Sequence, residues 1–427
     1  MAGVNFSAKE HEKLTIIQSA IDGKITNSHA AKQLNLSVRQ IQRTKAEIKK
    51  SGSTAVIHKL KGKESNHILS PFVKEEAIQI VRKSYSDFKP KFAAEKLQEN
   101  HNISINPQTL RRWMSKEDLW KIRKKKQTTY FAWRPRKEYF GELQQFDGSH
   151  HHWFENRFID EYGDPIEVCL LASIDDATGE ITKAIFAPHE GVIPVFTFWK
   201  EYVEQIGKPS SIYLDRFSTY KINHKAALDN SELITQFERA MKTLAIIPIP
   251  ANSPQAKGRI ERLFETLQDR LTKELRLANI NTPIDGNRFL REIFIPKFNQ
   301  QFSVIPTKEG NIHRQLTSEE KQRLNHIFSI HGTRRVNNDF TIQFKSTWYQ
   351  LTEIQPTTVR PLMIILMETW LDTSIHIILN GQELAYILLP ERPKKQRIKQ
   401  PTILTTHTLN WRPPKEHPWR KFKYGRG

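Results

Sequence analysis

Apolar residues recur at helical spacing through roughly the first quarter of the chain, and then in short solid or alternating runs. In "SAKEHEKLTIIQSAI", Leu14, Ile17 and Ile21 fall three or four apart. The stretch "NSHAAKQLNLSVRQIQRTKAEIKK" then divides into a short helix ending near Leu34, a turn at Asn35 and Leu36, and a longer helix that Ser37 can cap. The rhythm repeats downstream. "SPFVKEEAIQIVRKSY" offers Ser70 as cap and Pro71 at the first helical position, "KFAAEKLQEN" is a short helix, and "NPQTLRRWM" again starts with a cap and a proline. The pattern predicts two helix-turn-helix units, over 1–50 and 70–120, joined by a polar, basic linker over 51–69.

A second basic linker, 121–140, precedes a change of period. "LQQFD", "IEVCLLASI" and "ITKAIFAP" read as three neighbouring strands; helices and short strands then alternate up to the long amphipathic "AKGRIERLFETLQDRLTKELRLA". Three strands followed by alternating elements imply an α/β sheet with helices on its faces, over 141–285. A helical connector, 286–332, leads to a strand-rich stretch, 333–391, that suggests a small β-barrel, and the chain ends in a basic tail, 392–427. A multidomain protein is also what 427 residues imply, since single cores stop growing well below that length.

Charge sharpens this division. Residues 1–140 hold 29 Lys and Arg against 13 Asp and Glu, and residues 392–427 hold 11 against 1, while 141–391 carry 26 against 32. Two strongly basic arms flank a mildly acidic centre, as expected of phosphate-binding segments around a body with another task. The longest apolar run, "LMIILM", is far too short to span a membrane, and the N-terminus has no signal-peptide apolar region, so we expect no membrane partner and a place inside the cell. The single cysteine, Cys169, excludes an intramolecular disulfide and a multi-cysteine zinc site, and lies in an apolar run as a core thiol.

In a helix-turn-helix, the start of the second helix enters the major groove. Its exposed polar positions are Arg39, Gln40, Gln42 and Arg43 in the first unit, and Gln108, Arg111 and Arg112 in the second. They are the candidate contacts to double-stranded DNA. Three carboxylates stand where neighbours should be buried: Asp147 after "LQQF", Asp215 ending "SIYLD", and Glu261 in "SPQAKGRIERLFETL". Brought together at one sheet edge, they could hold two hard divalent cations about 3.5 to 4 Å apart, an arrangement suited to phosphodiester chemistry. Asp175 and Asp176 also compete as acids, but "DDATGE" has the composition of a hairpin turn, so they are expected to be structural. Three adjacent histidines, His150 to His152, point to alternating sides of an extended chain and cannot all bind one zinc, and the chain has no HExxH or CxxC spacing. At most, His151 or His152 touches DNA or a metal-bound water.

"FDGS", "YLDRFSTY" and "SPQAKGRIERLFETLQDRL" resemble the catalytic core of the retroviral-integrase superfamily, in particular bacterial insertion-sequence transposases with an Asp-Asp-Glu triad. The resemblance covers about 141–280, and the order of arms, core and small barrel also matches. It implies an RNase H-like integrase core in which Asp147, Asp215 and Glu261 are catalytic metal ligands for two Mg²⁺ ions, with Mn²⁺ as a substitute. Lys257, in the lead-in to the glutamate, joins the DNA-contacting set. The implied activity is a transposase that cleaves the ends of a mobile element and joins the 3′ ends to target DNA, working as a homo-oligomer on DNA in the bacterial cytoplasm, associated with the nucleoid. One departure is the interval from Asp215 to Glu261, 45 residues, longer than is usual in the family and implying an insertion near "KINHKAALDNSEL". The alternative is a DNA-binding regulator descended from such an enzyme with an inactive core; the presence of all three carboxylates argues against it. Glu265, one turn after Glu261, is the competitor for the third ligand. The apolar stripe centred near Ile260 leaves Glu261 at the border of the buried face and Glu265 further out.

Overall fold

The computed structural model describes residues 6–58, 69–121, 134–215, 230–251, 258–391 and 412–418, with side chains at all of them except 214–215, 230–235 and 250–251. Part of the first linker (59–68), most of the second (122–133), Lys257 with its lead-in, and the basic tail apart from 412–418 lie outside the described residues. The chain divides into two compact units, 1–126 and 127–427.

The first unit contains two groups of three helices. In the first group, α1 (Ala8–Ile21), α2 (Asn27–Leu34) and α3 (Val38–Ser51) each begin at a hydroxyl cap: Ser7, Thr26 and Ser37. Ser7 and Glu10 form a reciprocal capping box, and Asn35, at φ 52°, turns the chain from α2 towards α3. Ala20, Ala30, Ala31 and Ile41 fill the centre, where the small alanines let the three helices approach closely. The second group, α4 (Pro71–Ser84), α5 (Pro90–His101) and α6 (Pro107–Lys116), has proline at every start. Its core is aromatic, with Phe88 stacked on Phe92 at 4.9 Å.

The second unit is built on strands β1 (Leu143–His151), β2 (Val168–Asp175), β3 (Ile181–Ala187), β4 (Ser211–Asp215) and β5 (Ile247–Ala251), in the order β3-β2-β1-β4-β5. β1 to β3 form an antiparallel meander, whereas β4 and β5 run parallel to β1. On one face lie α7 (Val192–Gln205) and α8 (Asn230–Thr243), packed on Phe146, Leu171 and Ile212. α9 (Gly258–Leu277), α10 (Pro283–Phe289) and α11 (Ile295–Phe302) cover the other face through Leu170, Ala172 and Phe186. β2 is buried at every position because helices close both of its faces, which is why it reads as a solid apolar run.

Two features differ from the sequence pattern. β1 does not end at Asp147 but continues through His150 and His151, paired with β2 as far as His151↔Val168, because β2 is long enough to satisfy those backbone groups. The stretch expected as a connector also supplies core: Phe289, Leu290, Phe294 and Phe298 pack beneath the sheet with α9.

Beyond α12 (Ser318–Gln322) and α13 (Leu324–Ile327), the strands expected to make a small barrel form two antiparallel sheets. β6 (Ile330–Arg335), β9 (Ile364–Thr369), β10 (Ile375–Leu379) and β11 (Gln382–Glu383) form one; β7 (Thr341–Phe344), β8 (Thr347–Leu351) and β12 (Tyr386–Leu389) form the other. Both contribute to a core of Ile342, Tyr349, Ile365, Met367 and Ile377. Between β8 and β9, Pro356 and Pro361 lack the amide protons a strand ladder needs.

His313 ties the segment before α12 to this unit. Its Nδ1 donates to Asn311 Oδ1 at 2.6 Å, which leaves Nε2 to accept from the buried Tyr202 hydroxyl at 2.9 Å. Burial pushes its pKa down from 6.5 to about 4. Because the unfolded ring binds a proton that the folded ring refuses, His313 stabilises fully above about pH 6.5, and this stability is lost as pH falls towards 4. We expect the urea midpoint to fall between pH 7.5 and pH 5, and His313→Gln to show a smaller fall over the same interval.

Candidate active site

Successive residues of β1 alternate between two environments. Phe146 packs on the α7 aromatics, 5.0 Å from Phe198 and 5.4 Å from Trp199. On that side of Gly148, a Cβ would stand 2.6 Å from Glu190 Oε2 and 3.2 Å from Cys169 Sγ, so the glycine leaves room for both. The residues between face α9. Gln145 Oε1 accepts from the Ile260 amide at 3.2 Å, and Ser149 Oγ accepts from Gln268 Nε2 at 3.2 Å. Asp147 lies between these two contacts on the same face of the strand, half-buried.

Glu261 follows Ile260 in the first turn of α9 and is exposed. At about 100° per residue, Glu261 projects about 20° from Gln268 and Glu265 about 60° from it, so Glu261 lies closer to the line that reaches β1. Asp215 is the last residue of β4. The β1–β4 ladder runs from Leu143↔Ser211 to Gln145↔Tyr213, and Asp147 and Asp215 each stand two residues beyond that last pair. The two residues are therefore level in register on neighbouring strands. The Asp215 side chain lies outside the described residues, and among those described no three His, Cys, Asp or Glu side chains are grouped to hold a metal.

Behind this edge, Asp175 and Asp176 are both fully buried, so they are more than turn residues. Asp175 accepts from the Gly141, Ala177 and Thr178 amides and from Gln144 Nε2 at 2.8 Å. Burial raises its pKa and these bonds oppose the rise. Asp176 accepts from Gln145 Nε2 at 2.7 Å and from the Lys137 amide at 2.9 Å. It is also paired with Arg134 and, at 3.0 Å, with Arg259 Nη1. Burial lowers the Arg259 pKa and the Asp176 charge raises it. Pattern reading missed this network, although two glutamines in the otherwise apolar "LQQF" were its trace.

Arg39, Gln40, Gln42 and Arg43 are all exposed on α3, as are Gln108 and Arg112 on α6. Arg111 is half-buried, with its guanidinium 4.6 Å from the Trp120 ring centroid, so part of its surface is engaged within the unit. Lys257 lies outside the described residues. Of the histidines, His150 and His152 are exposed, whereas His151 packs edge-on to Trp153 at 5.3 Å and has its pKa lowered by burial and then by the neighbouring His152 charge. Cys169 is wholly buried, and burial, helped by the Glu190 and Asp147 charges, pushes its pKa far up.

No protein-family model matches the chain. It is 35% identical to the putative transposase y4bF of Sinorhizobium fredii over 96% of this chain and 87% of that protein. It is 28% identical to the transposase for insertion sequence IS1202 of Streptococcus pneumoniae, over 96% and 93% respectively. Among solved structures, a cryo-EM structure of the simian T-cell lymphotropic virus intasome in complex with PP2A regulatory subunit B56 gamma aligns with 67% of this chain and 93% of its own, at 13% identity and a TM-score of 0.29, too low to carry an argument on the fold.

Removing Asp176 leaves two partly buried guanidinium groups without their anion. We expect Asp176→Ala to destabilise the second unit by about 3 kcal/mol, the low end for a broken buried pair because both arginines reach solvent. Urea unfolding followed by tryptophan fluorescence measures it; an unchanged midpoint would show that the network is not structural.

Proposed function

Because the chain belongs to the transposases of bacterial insertion sequences, we propose that it binds the ends of a mobile element, cleaves them and joins the freed 3′ ends to target DNA. What supports this reading is the placement of the elements that carry the three residues: Asp147 on β1, Asp215 at the end of the neighbouring β4, and Glu261 in the first turn of α9, which is hydrogen-bonded to β1 through the Ile260 amide.

These are hard oxygen donors, as Mg²⁺ requires and Mn²⁺ tolerates. Asp147, Asp215 and Glu261 would hold two such ions, which supply charge stabilisation and an activated oxygen nucleophile at neutral pH. The protein's own part is positional. β1 and β4 fix the two aspartates at one level, α9 brings the glutamate alongside, and the packed sheet behind Asp147 keeps water from the buried face. At this site water would first attack the phosphodiester at the element end, breaking its P–O3′ bond to free the element's 3′ hydroxyl and leave a 5′ phosphate on the flank; that hydroxyl would then attack a target phosphodiester, displacing a target 3′ hydroxyl. The basic arms hold the DNA: α3 and α6 read the element ends, and Lys257 and the linkers contact phosphates. Bringing two ends together requires more than one copy of the chain, so we propose a homo-oligomer on DNA, working at the bacterial nucleoid. Among the described residues no helix is long and apolar enough to cross a membrane.

Asp147→Asn, Asp215→Asn and Glu261→Gln should each abolish metal-dependent cleavage of a labelled element end while binding to that end persists. Glu265→Gln should keep most activity. Cleavage at the wild-type rate in any of the first three would sink the triad, and loss in Glu265→Gln with retention in Glu261→Gln would reverse the third assignment.

Recognition has its own test. Affinity for ends should fall steeply as salt rises, because phosphate contacts dominate. Arg43→Ala and Arg112→Ala should each lower the preference for ends over random duplex by about 1 to 3 kcal/mol if the arginine reads a guanine. A preference unchanged in both variants would remove α3 and α6 from sequence reading.

A further inference from the structure

The apolar stripe that seats α9 on the sheet consists of Ile260, Leu263, Phe264, Leu267, Leu271 and Leu275. Hydrophobic contact of this kind is non-directional. It sets which face of α9 is buried but tolerates small slips along the helix axis, each residue of slip being about 1.5 Å. Metal–oxygen distances near 2.0 to 2.1 Å for Mg²⁺ leave no room for such a slip. Something directional must fix where Glu261 stands relative to Asp147.

Two hydrogen bonds straddle Asp147 and do this. Gln145 accepts from the Ile260 amide, one of the orphan donors at a helix start, at 3.2 Å. Gly258, the first residue of the helix, has no side-chain acceptor to serve instead. The same Gln145 side chain donates to Asp176 at 2.7 Å, and it is fully buried. A primary amide offers a neutral donor and an acceptor in one rigid plane, so this one side chain makes both bonds. Asp176 in turn holds Arg259, so two successive residues of the first turn of α9 are tied to one buried centre. Two turns further along, Gln268 donates to Ser149 at 3.2 Å from the exposed side of the helix.

We infer that Gln145 and Gln268 are positioning residues that fix α9 along β1, setting the spacing between the Asp147 and Glu261 carboxylates and hence the affinity of that edge for divalent cations; the inference rests on the catalytic reading above. Neither glutamine touches the reacting atoms. Gln145 is the stronger tie, being buried and doubly bonded, and Gln268 the weaker, being exposed.

The test is calorimetric titration of Mn²⁺ alone into the full-length protein without DNA, beside the thermal midpoint and end-cleavage rate of each variant. Gln145→Met should weaken Mn²⁺ binding at least about tenfold, as loss of groups that orient metal ligands commonly does. Gln268→Ala should weaken it in the same direction by a smaller factor, with affinity for element ends unchanged in both. A lower thermal midpoint with wild-type Mn²⁺ affinity would mark a purely structural role and overturn the inference. If Gln145→Met does not fold, Gln268→Ala decides alone, and wild-type Mn²⁺ affinity in it overturns the inference. Asp147→Asn separates the two levels. If it loses Mn²⁺ binding while both glutamine variants keep it, only the positioning role falls; if it binds Mn²⁺ like the wild type, the catalytic reading falls and takes this inference with it.

Discussion

A carboxylate with no access to water must find its counter-charges and donors inside the protein, and around Asp176 that requirement draws the second unit together. Its partners come from three separate stretches: Arg134 and the Lys137 amide where the chain enters the unit, Gln145 on β1, and Arg259 on α9. None of the three is close to Asp176 in sequence, so the bonds form only once the sheet and its covering helix are in place. The desolvation cost of such a group is several kcal/mol, and only complete satisfaction offsets it. A partly assembled unit therefore bears the penalty without the return, which favours all-or-none assembly of the edge that carries the candidate site.

β1 shows how one strand serves two demands. Phe146 is sealed among aromatic side chains beneath α7, whereas Gln145, Asp147 and Ser149 present polar atoms towards α9. The polar side is tolerable because the flanking side chains are paired, Gln145 with Asp176 and the Ile260 amide, Ser149 with Gln268. A strand with apolar residues on both faces would pack better and could not present a carboxylate to a helix that brings another.

Much of this was legible in the sequence, because the signals are local. Ser37, Ser70 and Asn106 cap their helices where the pattern places them, since a hydroxyl or amide before a periodic run acts on amides two or three residues away. β2 announced itself as a solid apolar run. The level placement of Asp147 and Asp215 rests on non-local strand pairing, which periodicity does not encode and which the resemblance alone suggested. The roles of Gln145 and Asp176 were hidden for a related reason: a polar residue beside a turn looks the same in sequence whether it is solvated or buried in a network. β1 runs on past "LQQFD" because its long partner strand pairs with "GSHH", and that pairing too is non-local.

The state of Cys169 carries a practical corollary. A thiol sealed beneath α7 and flanked by the charges of Glu190 and Asp147 stays protonated, and the thiolate is the form that alkylating reagents and oxidants attack. The folded chain, with its one cysteine so concealed, is in effect already cysteine-free to a maleimide. A cysteine introduced on the exposed face of α3 or α6 would be the sole addressable handle, so fluorophores or cross-linkers can be attached to the arms one position at a time without re-engineering the core.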